Sequence, residues 1–142
     1  LKVDTHVPEL GKTLGEELIT PTRIYTDTVQ ALLKDLPVHG LAHITGGGLV
    51  DNVVRVVPQG LGLLIRRGSW EIPPVFTFLR DAGRVPEIEM LRTFNTGVGM
   101  VALVPQAAVS EVLERLAGMH ERAFVIGEVV ERRDGADRLT WA

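Results

Sequence analysis

The chain of 142 residues contains no cysteine, which excludes disulfides, thiolate nucleophiles and cysteine-held metal, and fits a cytoplasmic protein. Its apolar runs are too short to span a bilayer, and its first residues lack the charged-then-apolar pattern of a signal peptide. Basic charge is not in surplus: the formal net charge is −3, so neither nucleic acid nor an anionic membrane is an expected partner. Amide side chains are scarce, with two asparagines and three glutamines, and lysine is outnumbered by arginine three to twelve. Thermophilic proteins share that pattern, and a GC-rich genome produces the same arginine bias.

Glycine, by contrast, stands in two informative places. Residues 46–48 are three consecutive glycines between an apolar run and a helical pattern. Without Cβ atoms such a turn can take positive φ angles and aim several N–H groups at one point, and the following helix adds its dipole. The arrangement suits a phosphate or another anion, and it equally suits a tight strand-to-helix connection. Some fifty residues later Asn95-Thr96-Gly97-Val98-Gly99 opens another apolar stretch, where a ligand or a neighbouring backbone can approach closely. Polar side chains flank both segments: His43 and Thr45 at the first, Asn95 and Thr96 at the second.

Hydrophobic spacing predicts helices over residues 26–36, 48–57, 74–82 and 107–116. Strands are predicted over 38–44, 61–67, 98–104, 124–130 and 138–141. Pro37 and Pro58 stop the first two helices, Pro74 suits a first helical turn and Gly83 an exit. Asp134-Gly135 reads as the turn of a closing hairpin. The order αβαβαβαββ predicts an α+β fold with one mixed β-sheet flanked by helices. Residues 1–25 are polar, contain Pro8, Gly11 and Gly15, and read as a linker or lead-in segment ahead of one domain over 26–142.

Several tempting residues have plain readings. Gly11-Lys12-Thr13 lacks the upstream glycine of a phosphate-binding P-loop, where His6 stands instead, so Lys12 reads as a solvated loop charge. His39 and His43 are four apart on a strand, roughly 13 Å, too far to share one ion, and no metal site is expected. Ser69 has no histidine and acid arranged near it, Trp70 and Phe76 read as core anchors, and Glu89 and Arg92 can pair on one helical turn. Arg23 can clamp a phosphate or carboxylate, or tie the lead-in segment to the domain by a salt bridge.

The motifs, taken in order, resemble the C-terminal domain of the phosphoribosylformylglycinamidine cyclo-ligase (AIR synthetase) family. The carriers are Thr13-Leu14-Gly15-Glu16-Glu17-Leu18, Thr20-Pro21-Thr22-Arg23-Ile24-Tyr25 and the 43–48 loop, followed by Asn52, Arg55, Pro58 and Gly60-Leu61. Ser69-Trp70, Pro73-Pro74, Phe76, Gly83, Val85-Pro86, Glu89-Met90 and the 92–100 segment complete the series. Leu91 departs from it, since the family commonly has tyrosine there. Beyond Pro105 the likeness is mostly hydrophobic pattern.

The resemblance implies an enzyme of purine biosynthesis that spends ATP to close the imidazole ring of aminoimidazole ribonucleotide from formylglycinamidine ribonucleotide. It implies that ATP and Mg2+ bind mainly on an N-terminal ATP-binding domain absent from this chain, that the full-length protein is a homodimer, and that this part alone is inactive. The implied substrate-binding residues are His43, Thr45, Gly46, Gly47, Gly48, Asn95, Gly97, Gly99 and Arg23, with His43 the candidate for catalysis. Relatives sharing the two-domain plan, formylglycinamidine ribonucleotide synthetase and selenophosphate synthetase, are alternatives, as is a non-catalytic module that binds a metabolite. His43 and Asn95 can reach one edge only if the strands at 38–44 and 98–104 run antiparallel.

Overall fold

Three small sheets, rather than one, carry the strands of the computed structural model, which describes residues 2–142. Strands β1 (His6–Val7) and β2 (Lys12–Thr13) form a hairpin. Strand β3 (Gly40–His43) pairs antiparallel with β5 (Met100–Leu103), and His43 faces Met100 across the ladder. Strand β4 (Leu61–Ile65) is the centre of the third sheet, with β6 (Gly127–Glu131) antiparallel on one side and β7 (Leu139–Trp141) parallel on the other.

The expected closing hairpin is therefore corrected. A turn does form at Asp134-Gly135, with Gly135 at φ 77°, but β6 and β7 flank β4 instead of pairing with each other. The physical reason lies in β4, whose Gly62, Leu63 and Ile65 are buried. A buried strand needs both rows of its backbone groups satisfied, so it takes a neighbour on each side.

The described residues form six α-helices: α1 (Leu14–Leu18), α2 (Thr26–Leu33), α3 (Gly48–Val53), α4 (Pro74–Gly83), α5 (Glu87–Thr93) and α6 (Val109–Gly118). Helix α5 and the elements before residue 20 interrupt the expected αβαβαβαββ order. Helix α3 tightens into a 3-10 turn at Val54–Val56 before Pro58. Pro74 opens α4 as expected, whereas the left-handed exit falls on Arg84 (φ 50°), one residue beyond Gly83.

Within residues 1–25, Thr13 and Glu16 form a reciprocal capping box: the Thr13 N–H donates to Glu16 Oε2 at 2.7 Å and the Glu16 N–H to Thr13 Oγ1 at 3.2 Å. Those bonds satisfy two donors that a helix start leaves unpaired. The Thr13 N–H and hydroxyl, both donating to Glu16 Oε2, hold its carboxyl below the usual range. Lys12 pairs with Glu17 at 2.9 Å.

The main core joins α3, α5 and both larger sheets. Leu49 and Val53, four apart on α3, are completely buried beside Ile44, Ile65, Trp70 and Leu91. Burial of such a side chain contributes about 1.5–3 kcal/mol, so this one helical face anchors the loop that precedes it. A second cluster places Leu32 and Leu36 against Val112. There the Arg115 guanidinium reaches the Ala31 carbonyl at 3.1 Å and Asp35 Oδ1 at 2.6 Å, clamping α6 to the end of α2.

Candidate functional site

The antiparallel pairing of β3 and β5 brings both glycine-rich segments to one end of that sheet. The Ile44 N–H donates to the Gly99 carbonyl at 2.9 Å, extending the ladder one residue past His43. Gly48 lies against the backbone of α5 and its exit, so that a Cβ there would meet the carbonyl oxygens of Leu91 and Phe94. Residues 44–48 and 94–99 are thus packed on one another.

The glycines divide by role. Gly48 is buried at φ 58°, and its missing Cβ makes room for α5. Gly47 sits at φ 96° as the residue before α3, with Asp51 close to where a Cβ would be. Gly97, at φ 100°, lies against Pro73, and Gly99 lies against the Tyr25 hydroxyl. Gly46 differs from all of these. It is exposed, lies outside the positive-φ group, and has nothing within 4 Å of a Cβ position. No neighbour among the described residues requires a glycine at 46.

Asn52 holds the first loop in shape. Its side chain is buried, and Nδ2 donates to the carbonyls of Gly48 at 2.8 Å, Gly46 at 3.2 Å and Thr45 at 3.4 Å. Carbonyls drawn inward in this way leave the opposite side of the loop free to present N–H groups. Asparagine inside a helix is unfavourable unless its amide is used, and Asn52 stands four residues after Gly48. That was the available signal for a residue whose role the motif comparison did not identify.

The second segment carries strain. Asn95 Oδ1 accepts from the Gly97 N–H at 3.1 Å, closing a short turn around Thr96. Thr96 is buried with φ 46°, and its carbonyl accepts from Trp70 Nε1 at 3.0 Å. The Thr96 hydroxyl has no hydrogen-bond partner among the described residues. Trp70 therefore anchors the core, as expected, and also pins this loop.

His43 and Thr45 are exposed at the end of β3. The His43 imidazole meets the Tyr25 ring edge-on, with centroids 5.8 Å apart and planes at 63°. Arg23 points elsewhere: its guanidinium bonds Glu121 at 2.7 Å, and Glu121 also accepts from Thr28 at 2.9 Å. Of the two readings open to Arg23, this geometry is the tie between the lead-in segment and the domain. Glu89 and Arg92 approach to 3.7 Å, and Phe76 packs on Phe94.

A cavity of about 520 Å³ runs from Tyr25 and Gly97–Gly99 between α2, α6 and β6. Leu32, Leu63, Val112 and Val129 are among its apolar walls, and Arg23, Tyr25 and Glu121 are among its polar ones.

Comparison with known proteins gives this geometry its family. Residues 1–139 match the family described as AIR synthase related protein, C-terminal domain. The phosphoribosylformylglycinamidine cyclo-ligase of Desulfatibacillum aliphaticivorans is 49% identical over 141 residues, covering 99% of this chain and 41% of that protein. Its counterpart from Citrifermentans bemidjiense is 52% identical over 131 residues, covering 92% and 38%. This chain thus spans about two-fifths of the length of these relatives. Among solved structures, the hydrogenase maturation protein HypE of E. coli superposes with a TM-score of 0.65 at 22% identity, over 94% of this chain and 42% of that one, a likeness of fold alone. The chain belongs to the AIR synthase related family, whose C-terminal domain it represents.

Proposed function

We propose that this domain forms the substrate-facing wall of an ATP-dependent cyclo-ligase that converts formylglycinamidine ribonucleotide to aminoimidazole ribonucleotide. The observation that carries the reading is the meeting of residues 44–48 and 94–99 at one sheet end, in a chain 49% identical to a protein named for that reaction. In this reading the loop N–H groups at Gly46 and Gly47, with His43 and Thr45, receive an anionic or carbonyl oxygen of the ribonucleotide, and Asn95 lines the same cleft. In the same reading His43 binds that oxygen or moves a proton.

ATP and Mg2+ belong, in the same proposal, to a preceding ATP-binding domain. Among the described residues no three His, Asp or Glu side chains gather into a metal-binding group. The complete protein is proposed to be a cytoplasmic homodimer. No helix among the described residues is long and apolar enough to cross a membrane.

The test is turnover by the full-length protein. Incubation with formylglycinamidine ribonucleotide, ATP and Mg2+ should release phosphate and form aminoimidazole ribonucleotide in equal amounts, while this domain alone should do neither. Binding of the ribonucleotide without turnover by the full-length protein would favour a metabolite sensor.

A further inference from the structure

Tyr25 is the single tyrosine of the chain, and its hydroxyl packs over Gly99. It is half-buried immediately before α2, and its carbonyl accepts from the Val29 N–H at 2.8 Å. The Arg23–Glu121 pair, joined by Thr28, fixes the same turn from the other side. The backbone at Tyr25 is therefore held on both flanks.

The ring projects across the end of the β3–β5 ladder. It meets His43 edge-on at 5.8 Å, and its hydroxyl fills the space that a Cβ on Gly99 would occupy. Gly99 in turn accepts from the Ile44 N–H, so the backbone under the phenol is fixed by the sheet. Neither the phenol oxygen nor the His43 imidazole has a hydrogen-bond partner among the described residues. Two rings with polar heads thus converge, unpaired, at the sheet end where the two glycine-rich segments meet. Phenylalanine would keep the ring contact with His43; the phenol adds a hydroxyl donor.

We propose that Tyr25 is a substrate-binding residue of this site, its hydroxyl donating to an acceptor oxygen of the ribonucleotide beside His43. The inference rests on the reading of this sheet end as the ribonucleotide site. It adds to that site a group from the segment ahead of α2, so the lead-in segment becomes one of its walls.

The experiment compares Tyr25→Phe, His43→Gln and Gly46→Ala in the full-length protein. Tyr25→Phe keeps the ring contact and removes only the donor. A lost hydrogen bond to a bound oxygen should raise the Kd for formylglycinamidine ribonucleotide about fivefold to thirtyfold, raise KM more than it lowers kcat, and leave ATP affinity within twofold. A purely structural tyrosine would move the melting temperature and not this ratio. Titration with ribose 5-phosphate locates the oxygen. An equal loss of its affinity assigns the phosphate, and an unchanged affinity with the ribonucleotide loss retained assigns the formamide end. Unchanged ribonucleotide affinity in Tyr25→Phe, alongside weakened binding in the other two variants, would overturn the role of Tyr25 and leave the site standing. Unchanged affinity in all three would overturn the site itself.

Discussion

Asn52 Nδ2 donates to the Gly48 carbonyl at 2.8 Å, a buried hydrogen bond between the interior of α3 and the glycine that begins it. The same amide reaches the carbonyls of Thr45 and Gly46, so one side chain sets the course of the whole loop. Replacing Asn52 by Ala removes the buried amide that ties the Thr45, Gly46 and Gly48 carbonyls together. The expected cost is about 1–3 kcal/mol, read as a lower melting temperature of the full-length protein. Asn52→Asp should also destabilise, because a carboxylate cannot donate to three carbonyls.

The three consecutive glycines should differ sharply when each is changed to alanine. Gly48→Ala forces a Cβ into the Leu91 and Phe94 carbonyls at positive φ, and a loss of at least about 2 kcal/mol is expected. Gly47→Ala meets positive φ and the Asp51 Cβ, which no rotamer change can move aside, for at least about 1 kcal/mol. Gly46→Ala, with open space and no positive φ, should stay within about 0.5 kcal/mol of the parent. Thermal unfolding of the three variants checks the ranking.

Thr96 combines a left-handed backbone with a buried hydroxyl that lacks a partner. Thr96→Val keeps the shape and removes the unsatisfied group, so stability should rise by about 1 kcal/mol. A fall in melting temperature would reveal a hydrogen-bond partner for that hydroxyl in solution.

The carboxyl of Asp35 is held below its ordinary value of 3.8, chiefly by the hydrogen bond from Arg115, with the guanidinium charge adding to it. A carboxyl depressed in the folded state contributes stability that is present above 3.8 and is lost as the pH falls through the lower, folded value. Asp35→Asn should therefore be less stable than the parent at neutral pH, and the difference should shrink as the pH drops below 3.8. The pair is exposed, so added salt should narrow the gap as well. Denaturant midpoints at several pH values measure this.

Much of the local structure was legible because it follows from periodicity and punctuation. The stripe at Val29 and Leu32, the proline start at Pro74 and the apolar run at Leu61–Ile65 each became the element expected of them, although the first helix ends at Leu33 and leaves Leu36 beyond it. Strand partners were not legible in the same way. A turn at Asp134-Gly135 is compatible with a hairpin or with a strand crossing over β4, and only the burial of β4 decides between them. The Thr13–Glu16 capping box was readable as a threonine followed three residues later by glutamate, but the polar composition around it suggested a linker instead.

At the candidate site, sequence identified the glycine-rich segments and not the reason for each glycine. Gly99 answers to Tyr25 and Gly48 to α5, contacts between residues 74 and 43 positions apart in the chain, which no local pattern encodes. Leu91, the departure from the family's usual tyrosine, is buried against α3, where an apolar side chain suits its surroundings.

The central claim, that the 46–48 loop binds the ribonucleotide, is tested most directly at Gly46. Its Kd values for formylglycinamidine ribonucleotide and for ATP should be measured on parent and Gly46→Ala full-length protein, well below the unfolding temperature. A loss of about tenfold or more is expected for the ribonucleotide, with ATP affinity and melting temperature essentially unchanged. Equal losses for both ligands, or no loss for either, would contradict that claim and leave the glycines as parts of a turn.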